Sequence, residues 1–488
     1  MRDYNKYIEW LYSLQNVGAD DTQKDLYSKE NYEHLLNVVR EVLKQNPDAS
    51  IEELREKLFE QSHLKDKIVD FFERRKMAPG AVITYGTSKY QETIVLGNRQ
   101  ELIKENDCLK EQILSMEEDS IFDLASVSKL FTSIGILKLV EMGYINLNDE
   151  VTKYCKEFKN LNNVSIFDLL TFISLKTDER IDGAKDKEEA ENRLFTARKN
   201  ELASYPNTYN DIAPMVLKYV IEAVTQMNYY DFLENMILKE LDMNDTLANA
   251  TLKKERFVSG NFDGRIDKNG NITIRDKATA GIPTDDKARI LGGLCGHAGL
   301  FSTASDMHKL ANGLIENKIL SENFRNMMAK NRTGREYLDE NNPTKRKYTG
   351  YFGLLCHSKN PKLELSEVHH PLSGLSFAGA GWSGTQFTVD PLNKINFFLG
   401  SNRSHNRITV IDSNAKDKLS SRTVNGVELI KLPNGTEMIN SSRFAWDRDN
   451  AVVHPCIELA FCYKILEDIL QSEEKNLEGS KVLKLKKA

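Results

Sequence analysis

The stretch SKLFTSIGILKLVE, residues 128–141, constrains the fold more than any other part of this chain. As a helix it carries apolar residues on every side and offers no face broad enough to meet water. A helix of that kind must be surrounded by other elements at the centre of a domain. Gly143 follows where a helix commonly stops.

The patterning on either side predicts what surrounds it. Residues 1 to about 65 read as a charged, helical N-terminal extension, with Ser50-Ile51-Glu52-Glu53 as a capping box opening a helix through Gln61. The extension suits either a cap on its own domain or an arm that contacts a protein partner. From about residue 66, DKIVDFFERRK predicts a helix that leads through Pro79-Gly80 into AVITYG and ETIVLG, a hairpin. Residues 121 to about 325 are mostly helical in pattern, including IAPMVLKYVIEAVTQ. β signals then return in LSFAGAGWSGTQFTV and INFFLGSN, joined by the turn Asp390-Pro391-Leu392-Asn393. Residues 408 to about 450 form a polar excursion with a hairpin signal in ELIKLPNGTEMIN, and ELAFCYKILEDILQ closes the fold as a helix. A basic tail, 473–488, is expected to be disordered.

Strands at both ends and helices between them predict an α/β (α+β) fold. An antiparallel sheet is built from N- and C-terminal segments and flanked by helices, with an inserted all-α domain at roughly 145–325. The main domain is expected to span 66–472.

Composition excludes several classes. With a net charge of −6 there is no basic field for nucleic acid or an anionic membrane surface. No apolar run approaches the ~18 residues that cross a bilayer, and the N-terminus lacks the pattern of a secretory signal. The six cysteines are scattered without a C-x-x-C pair, so they read as reduced thiols, with no zinc site. If residue 1 is the true start, the expected location is cytoplasmic.

The buried helix is headed by Ser126-Val127-Ser128-Lys129. Ser-x-x-Lys alone is weak, since it recurs at Ser62/Lys65, Ser413/Lys416 and Ser472/Lys475. Context distinguishes the first. Residues three apart share a helix face, so the lysine amine reaches the serine hydroxyl. Desolvation is expected to lower the lysine's proton affinity, and the free N–H groups of the first turn can stabilise an oxyanion.

These residues bring a family into view. DLASVSKLFTSIGILKLVEMGYINLNDEV, residues 123–151, resembles the nucleophile motif and following helix of class C β-lactamases, penicillin-binding proteins and related carboxylesterases. The resemblance implies a β-lactamase/transpeptidase-like fold, with Ser126 as acyl-enzyme nucleophile and Lys129 in the lysine position. Tyr209-Asn210-Asp211, ahead of IAPMVLKYVIEAVTQ, resembles the second motif and puts Tyr209 in the general-base position. Asp211 stands where asparagine is common, and its charge would keep Lys129 protonated; it also suits a helix N-cap. LGGLCGHAGLFSTASDM, residues 291–307, matches a glycine-rich turn of the family, with His297 beside the site or touching substrate.

Two departures narrow the expectation. VSIFDLLTF runs on into Thr171-Phe172-Ile173-Ser174, without the histidine and glycine usual there. The third motif, Lys-Thr-Gly or His-Thr-Gly, is Gly379-Ala380-Gly381. The side chain that grips a substrate carboxylate is gone, and the small residues are expected to open room above the nucleophile. The resemblance still implies an oxyanion hole from the N–H groups of Ser126 and Trp382, with Trp382 as an apolar wall. Arg403, in Ser401-Asn402-Arg403-Ser404-His405, is a candidate replacement cation.

The expected function is therefore a serine hydrolase acting on a small ester, amide or peptide-like substrate, with weak or no β-lactamase activity. No cofactor or metal is implied. Two other readings compete: a catalytically degenerate binding protein, and a D-amino-acid peptidase or esterase on cell-wall material, which would need export.

Overall fold

A computed structural model describes residues 24–485, apart from 107, 204, 250–252, 278–279, 334–335, 340–341, 349 and 361–365. Its centre is a seven-stranded sheet. In chain order the strands are β1 (Gly80–Thr87), β2 (Gln91–Glu105), β3 (Cys108–Ser115), β4 (His357–Ser358), β5 (Phe377–Ala380), β6 (Gln386–Asp390) and β7 (Ile395–Ser401). Their order in space is β4-β5-β6-β7-β1-β2-β3. Every pairing is antiparallel, and β1 meets β7 in the register Ala81↔Ser401 to Thr87↔Ile395. The two ends of the chain thus close one sheet, as expected.

Both faces of that sheet are covered, which explains why β1 and β7 read as unbroken apolar runs. Ala81, Ile83, Tyr85, Phe397 and Leu399 point into one core. Val82, Phe398, Phe387 and Val389 point into the other. The first face packs against a C-terminal helix, and the N-terminal extension packs onto that helix in turn. The extension comprises α1 (Lys24–Gln45) and α2 (Ile51–Gln61). The Ser50 capping box forms as predicted, with Ser50 Oγ accepting from the Glu53 N–H (3.2 Å) and Glu53 from the Ser50 N–H (2.7 Å). Leu35, Val39, Leu54 and Leu58 are buried with the sheet core, and Arg55 donates to Glu467 of the C-terminal helix at 2.8 Å. The described part of the extension is a cap on its own chain; residues 1–23 lie outside the described residues.

The other face carries the helical layer. Its centre is α3 (Ser128–Glu141), in which every residue from Ser128 to Leu137 is buried. Against it runs α4 (Ile212–Thr225). Gly135 permits the close approach there, since a Cβ at that position would lie 2.9 Å from Phe232 and 3.2 Å from Ile221. The next long helix, α5 (Ala304–Ile315), lies across β1, β6 and β7 on this face.

Two features differ from the sequence reading. The middle of the chain is not purely helical. A hairpin of Asp263–Ile266 and Ile272–Arg275 joins the 407–440 strands in a second, six-stranded sheet, through parallel pairing with Arg407–Ile411. Short strands separated from their partners by over 130 residues leave no local signal of pairing. The ELIKLPNGTEMIN hairpin belongs to the same sheet, with Leu429 opposite Ile439. The closing helix α6 (His454–Leu485) continues through the run expected to be disordered, which is rich in Glu, Lys and Leu and lacks proline. Residues 486–488 lie outside the described residues.

Candidate active site

The turn that presents Ser126 is fixed from both sides. Phe122–Asp123 pairs with Phe301–Ser302, and the buried Asp123 carboxylate accepts the Ala125 N–H (2.8 Å). Its other oxygen accepts both the N–H and the hydroxyl of Thr284, each at 2.7 Å. Ala125 is held at φ +45°, a conformation that costs a residue with a Cβ and persists only where its surroundings enforce it. Ser126 then sits in a 3₁₀ turn (Ala125–Val127) that runs directly into α3. From residue 120 to 137 every side chain is buried except Ser126, which is half-open to solvent.

Lys129 is fully buried behind it. Its Nζ donates to Ser126 Oγ at 2.8 Å and to the His297 carbonyl at 3.3 Å, and lies 2.9 Å from Asp211 Oδ1. The same ammonium stands 4.8 Å from the centroid of the Tyr209 ring. Burial opposes its charge, but Asp211 and Tyr209 outweigh that penalty and raise its proton affinity above the ordinary lysine value. Of the two opposed expectations, desolvation lowering the amine's proton affinity and Asp211 keeping it protonated, the second prevails: Lys129 is a held cation.

Tyr209 is positioned by an aromatic cluster. Phe172, Phe352 and His357 stand 5.0, 5.7 and 6.1 Å from it between ring centroids. Phe172 is the residue that replaces the expected histidine, and its ring supports the tyrosine instead. Asn210, not Asp211, supplies the helix cap: its Oδ1 accepts the Ala213 N–H at 2.9 Å, and its amide donates to the Ile173 carbonyl at 3.0 Å. Asp211 makes no side-chain cap bond to α4. Its oxygens go to Lys129 (2.9 Å) and to Lys287 (2.9 Å), and despite burial these cations, with His297, hold it far below the carboxylate range.

His297 is buried and does not face the serine through its ring. Its Nε2 lies 2.8 Å from Asp285 Oδ1 and its Nδ1 lies 3.2 Å from Cys295 Sγ, while its carbonyl receives Lys129. Burial works against its charge, but the Cys295 sulfur, Asp285 and Asp211 outweigh this and push it up to about 10. The glycine-rich turn brings it there: a Cβ on Gly296 would lie 2.3 Å from the Pro214 carbonyl of α4, and φ is +85°. Asp211, Asp285 and His297 bring ligand atoms within 4.8 Å of one another. Lys129 and Lys287 already take both oxygens of Asp211, so the cluster is an internal ion-pair network, not a vacant set of metal ligands.

The third-motif strand ends against the nucleophile turn. The Gly381 N–H donates to the Thr385 carbonyl (2.8 Å), and Trp382 follows in the turn beyond the strand, which the Gly384 N–H closes by donating to the Gly381 carbonyl (3.0 Å). A Cβ on Gly381 would lie 2.6 Å from the Leu124 carbonyl and 3.3 Å from Ala125. Gly379 does not open room: a Cβ there would lie 3.0 Å from Leu130 Cδ1 and 3.5 Å from Val127 Cα. The space belongs to α3. Arg403 is likewise corrected. It is buried, donates to the Thr409 carbonyl (3.0 Å), and lies 4.8 Å from the centroid of the exposed Trp382 ring, with Arg265 at 5.1 Å.

The structure thus gathers Ser126, Lys129, Tyr209, Asp211 and His297, with Gly379 and Gly381 beside them. Arg403 lies against the Trp382 ring. Asp123, Asp285 and Lys287 were not read from sequence. Asp285-Asp286-Lys287 has the look of a solvated surface run, and Asp285 does cap a short helix by accepting the Ala288 N–H at 2.8 Å.

A seven-stranded antiparallel sheet with a buried Ser-x-x-Lys helix against it defines a β-lactamase/transpeptidase-type fold. A sequence model of the Beta-lactamase family matches residues 98–418, more than half of the chain, and the chain belongs to that family. It is similar to a protein of Salmonella typhi named "Putative D-alanyl-D-alanine carboxypeptidase", 26% identical over 326 residues, 59% of this chain and 71% of that one. Among solved structures it resembles a class C β-lactamase in complex with cefoxitin, at TM-score 0.52 and 14% identity, covering 71% of this chain and 94% of that one. It also resembles a mutant simvastatin synthase from Aspergillus terreus, at TM-score 0.50 and 15% identity, covering 72% and 93%. Among the described residues no helix is long and apolar enough to cross a membrane.

Proposed function

We propose that this chain is a serine hydrolase that turns over an ester or amide through an acyl-enzyme on Ser126. The observation that carries the reading is the 2.8 Å contact between Lys129 Nζ and Ser126 Oγ, with Asp211 keeping that amine charged. A permanently charged Lys129 cannot accept the serine proton. Tyr209 is the acceptor, and the adjacent ammonium stabilises its phenolate. Ser126 Oγ attacks the carbonyl carbon as its proton passes to Tyr209, and the Ser126 and Trp382 N–H groups hold the oxyanion. The C–O or C–N bond then breaks, and the leaving group takes the proton from Tyr209. Water attacks the acyl-enzyme by the same route in reverse. Each oxyanion donor is worth on the order of 10²–10³ in rate.

The absent third-motif cation and the Leu130 side chain packed in its place favour substrates without an obligatory carboxylate, and so weak or no β-lactamase activity. The substrate is a small ester or amide, with no role for nucleic acid or a membrane. Six free cysteines, five of them buried, suit a reducing, cytoplasmic setting. The relative named as a D-alanyl-D-alanine carboxypeptidase motivates a second reading, hydrolysis of D-alanyl peptides.

A fluorophosphonate probe tests the first reading. Labelling of the wild type that vanishes in Ser126→Ala supports it, and folded wild type that stays unlabelled overturns it in favour of a binding protein. A panel of p-nitrophenyl esters, D-alanyl-D-alanine peptides and nitrocefin then separates the substrates. Faster turnover of the D-alanyl peptides than of neutral esters would install the second reading.

A further inference from the structure

We infer that Lys287 is a positioning residue of this site: by pairing with the second oxygen of Asp211 it limits how tightly Asp211 clamps Lys129, and so sets the pH at which Ser126 is activated. The inference rests on the hydrolase reading and names what regulates its proton transfer.

The geometry is a continuous chain of polar contacts. Ser126 Oγ to Lys129 Nζ is 2.8 Å, Lys129 Nζ to Asp211 Oδ1 is 2.9 Å, and Asp211 Oδ2 to Lys287 Nζ is 2.9 Å. Lys287 comes from the short Asp286–Ile290 helix, an element remote in sequence from all three catalytic motifs. Its side chain is one-third exposed, so the chain runs from the nucleophile through the buried Lys129 and out toward solvent again. The third-motif strand, which carries a cation in the resembled family, carries none here, and Arg403 is buried with its guanidinium on the Thr409 carbonyl and the Trp382 ring. Lys287 is the second ammonium the site does possess.

The groups facing Asp211 come from four elements: Lys129 on α3, Tyr209 in the preceding loop, Lys287 and Asp285 at the short helix, and His297 in the glycine-rich turn. Asp182, bonded to Arg180, adds a weaker negative field at Lys287, and His357, 3.6 Å from Glu367, stacks on the Tyr209 ring at 6.1 Å. Three cations therefore face two close carboxylates when His297 is protonated. Removing Lys287 leaves the Asp211 charge offset by Lys129 and His297 only, so more of it is felt at Tyr209. More negative surroundings disfavour a phenolate, so activation shifts to higher pH. Lys287 acts through the Asp211 charge, so once that charge is removed the same change at 287 has no further effect.

The test uses the full chain as wild type, Lys287→Met, Lys287→Arg, Asp211→Asn and the Met/Asn double variant, each checked for an unchanged melting temperature. Fluorophosphonate inactivation is followed against pH. In Lys287→Met the acid limb should move up by about one pH unit, so the rate below it falls about tenfold. KM for a neutral ester should stay unchanged. Lys287→Arg should follow the wild type, and the double variant should match Asp211→Asn to within about half a pH unit. A Lys287→Met profile that superimposes on the wild type overturns the inference, as does a rise in KM without movement of the limb. Titration of Tyr209 by the ring-carbon NMR signal that Tyr209→Phe lacks gives an activity-free readout. If the wild type is never labelled, the hydrolase reading fails, while the Tyr209 signal still decides the electrostatic link: ionisation at higher pH in Lys287→Met supports it, and no movement rejects it.

Discussion

Leu130 fills the space into which any side chain at Gly379 would project, with its Cδ1 3.0 Å from that Cβ position. The residue that follows Lys129 on the nucleophile helix and the missing third-motif cation are thus two sides of one packing arrangement. A glycine at 379 leaves room for the apolar residue at 130, whose methyl stands where a side chain at 379 would begin.

Restoring a cation there should consequently fail unless the helix yields. Gly379→Lys alone is expected to destabilise the fold by about 1–3 kcal/mol through overpacking. Combined with Leu130→Ala, the loss should fall short of the sum of the two single losses by about 1 kcal/mol or more, because the lysine stem occupies the vacated volume. Urea unfolding of the four proteins measures the coupling. Strict additivity would mean that the two positions do not share the space.

Tyr209 can be separated from its ring. Tyr209→Phe keeps the contacts with Phe172 and Phe352 and removes only the hydroxyl. Its kcat on a neutral p-nitrophenyl ester should fall by roughly 10²–10⁴, the range for loss of a general base, with little change in KM or melting temperature. A variant that retains most of its kcat would move the proton acceptor elsewhere.

What sequence made legible follows a physical divide. Local signals carried far: the Ser50 capping box, the buried SKLFTSIGILKLVE helix, and the AVIT and INFFL strands each state their environment through their own residues. The Ser126–Lys129 contact was legible because i and i+3 fix the distance whatever the fold. Contacts that depend on where remote segments land were not. Lys287 reaches Asp211 across 76 residues, and Thr284 reaches Asp123 across 161. The charge of Lys129 could be weighed from sequence but not decided: burial and Asp211 pull in opposite directions, and the balance follows once Asp211 is found 2.9 Å away.

Asp123 is a structural restraint on the nucleophile and should behave as one. Asp123→Ala leaves the Ala125 N–H and both Thr284 donors without their acceptor in a buried place. The expected cost is on the order of 3 kcal/mol. Because the restraint holds Ala125 at φ +45°, relaxation of the turn should also slow fluorophosphonate labelling of the protein that remains folded. An unchanged urea midpoint would contradict this.

Stability should fall as pH rises above neutrality, and His297 should be the cause. Its proton affinity is raised in the folded state to about 10, against about 6.5 for an unfolded histidine. A group raised by folding contributes fully below its unfolded value, and that contribution is lost as pH climbs through the folded value. The unfolding free energy should therefore decline between about pH 6.5 and 10, by at most about 1.4 kcal/mol per pH unit for one proton. Asp211 and Asp285 act in the opposite sense. Both are lowered by folding, so their contribution is present above about pH 4 and disappears on acidification. Urea unfolding at pH 5.5, 7.5 and 9.5 should show the alkaline decline in the wild type and a flatter profile in His297→Asn. Equal slopes in the two proteins would show that His297 is neutral in the folded state, and the cationic side of the network would then consist of Lys129 and Lys287 alone.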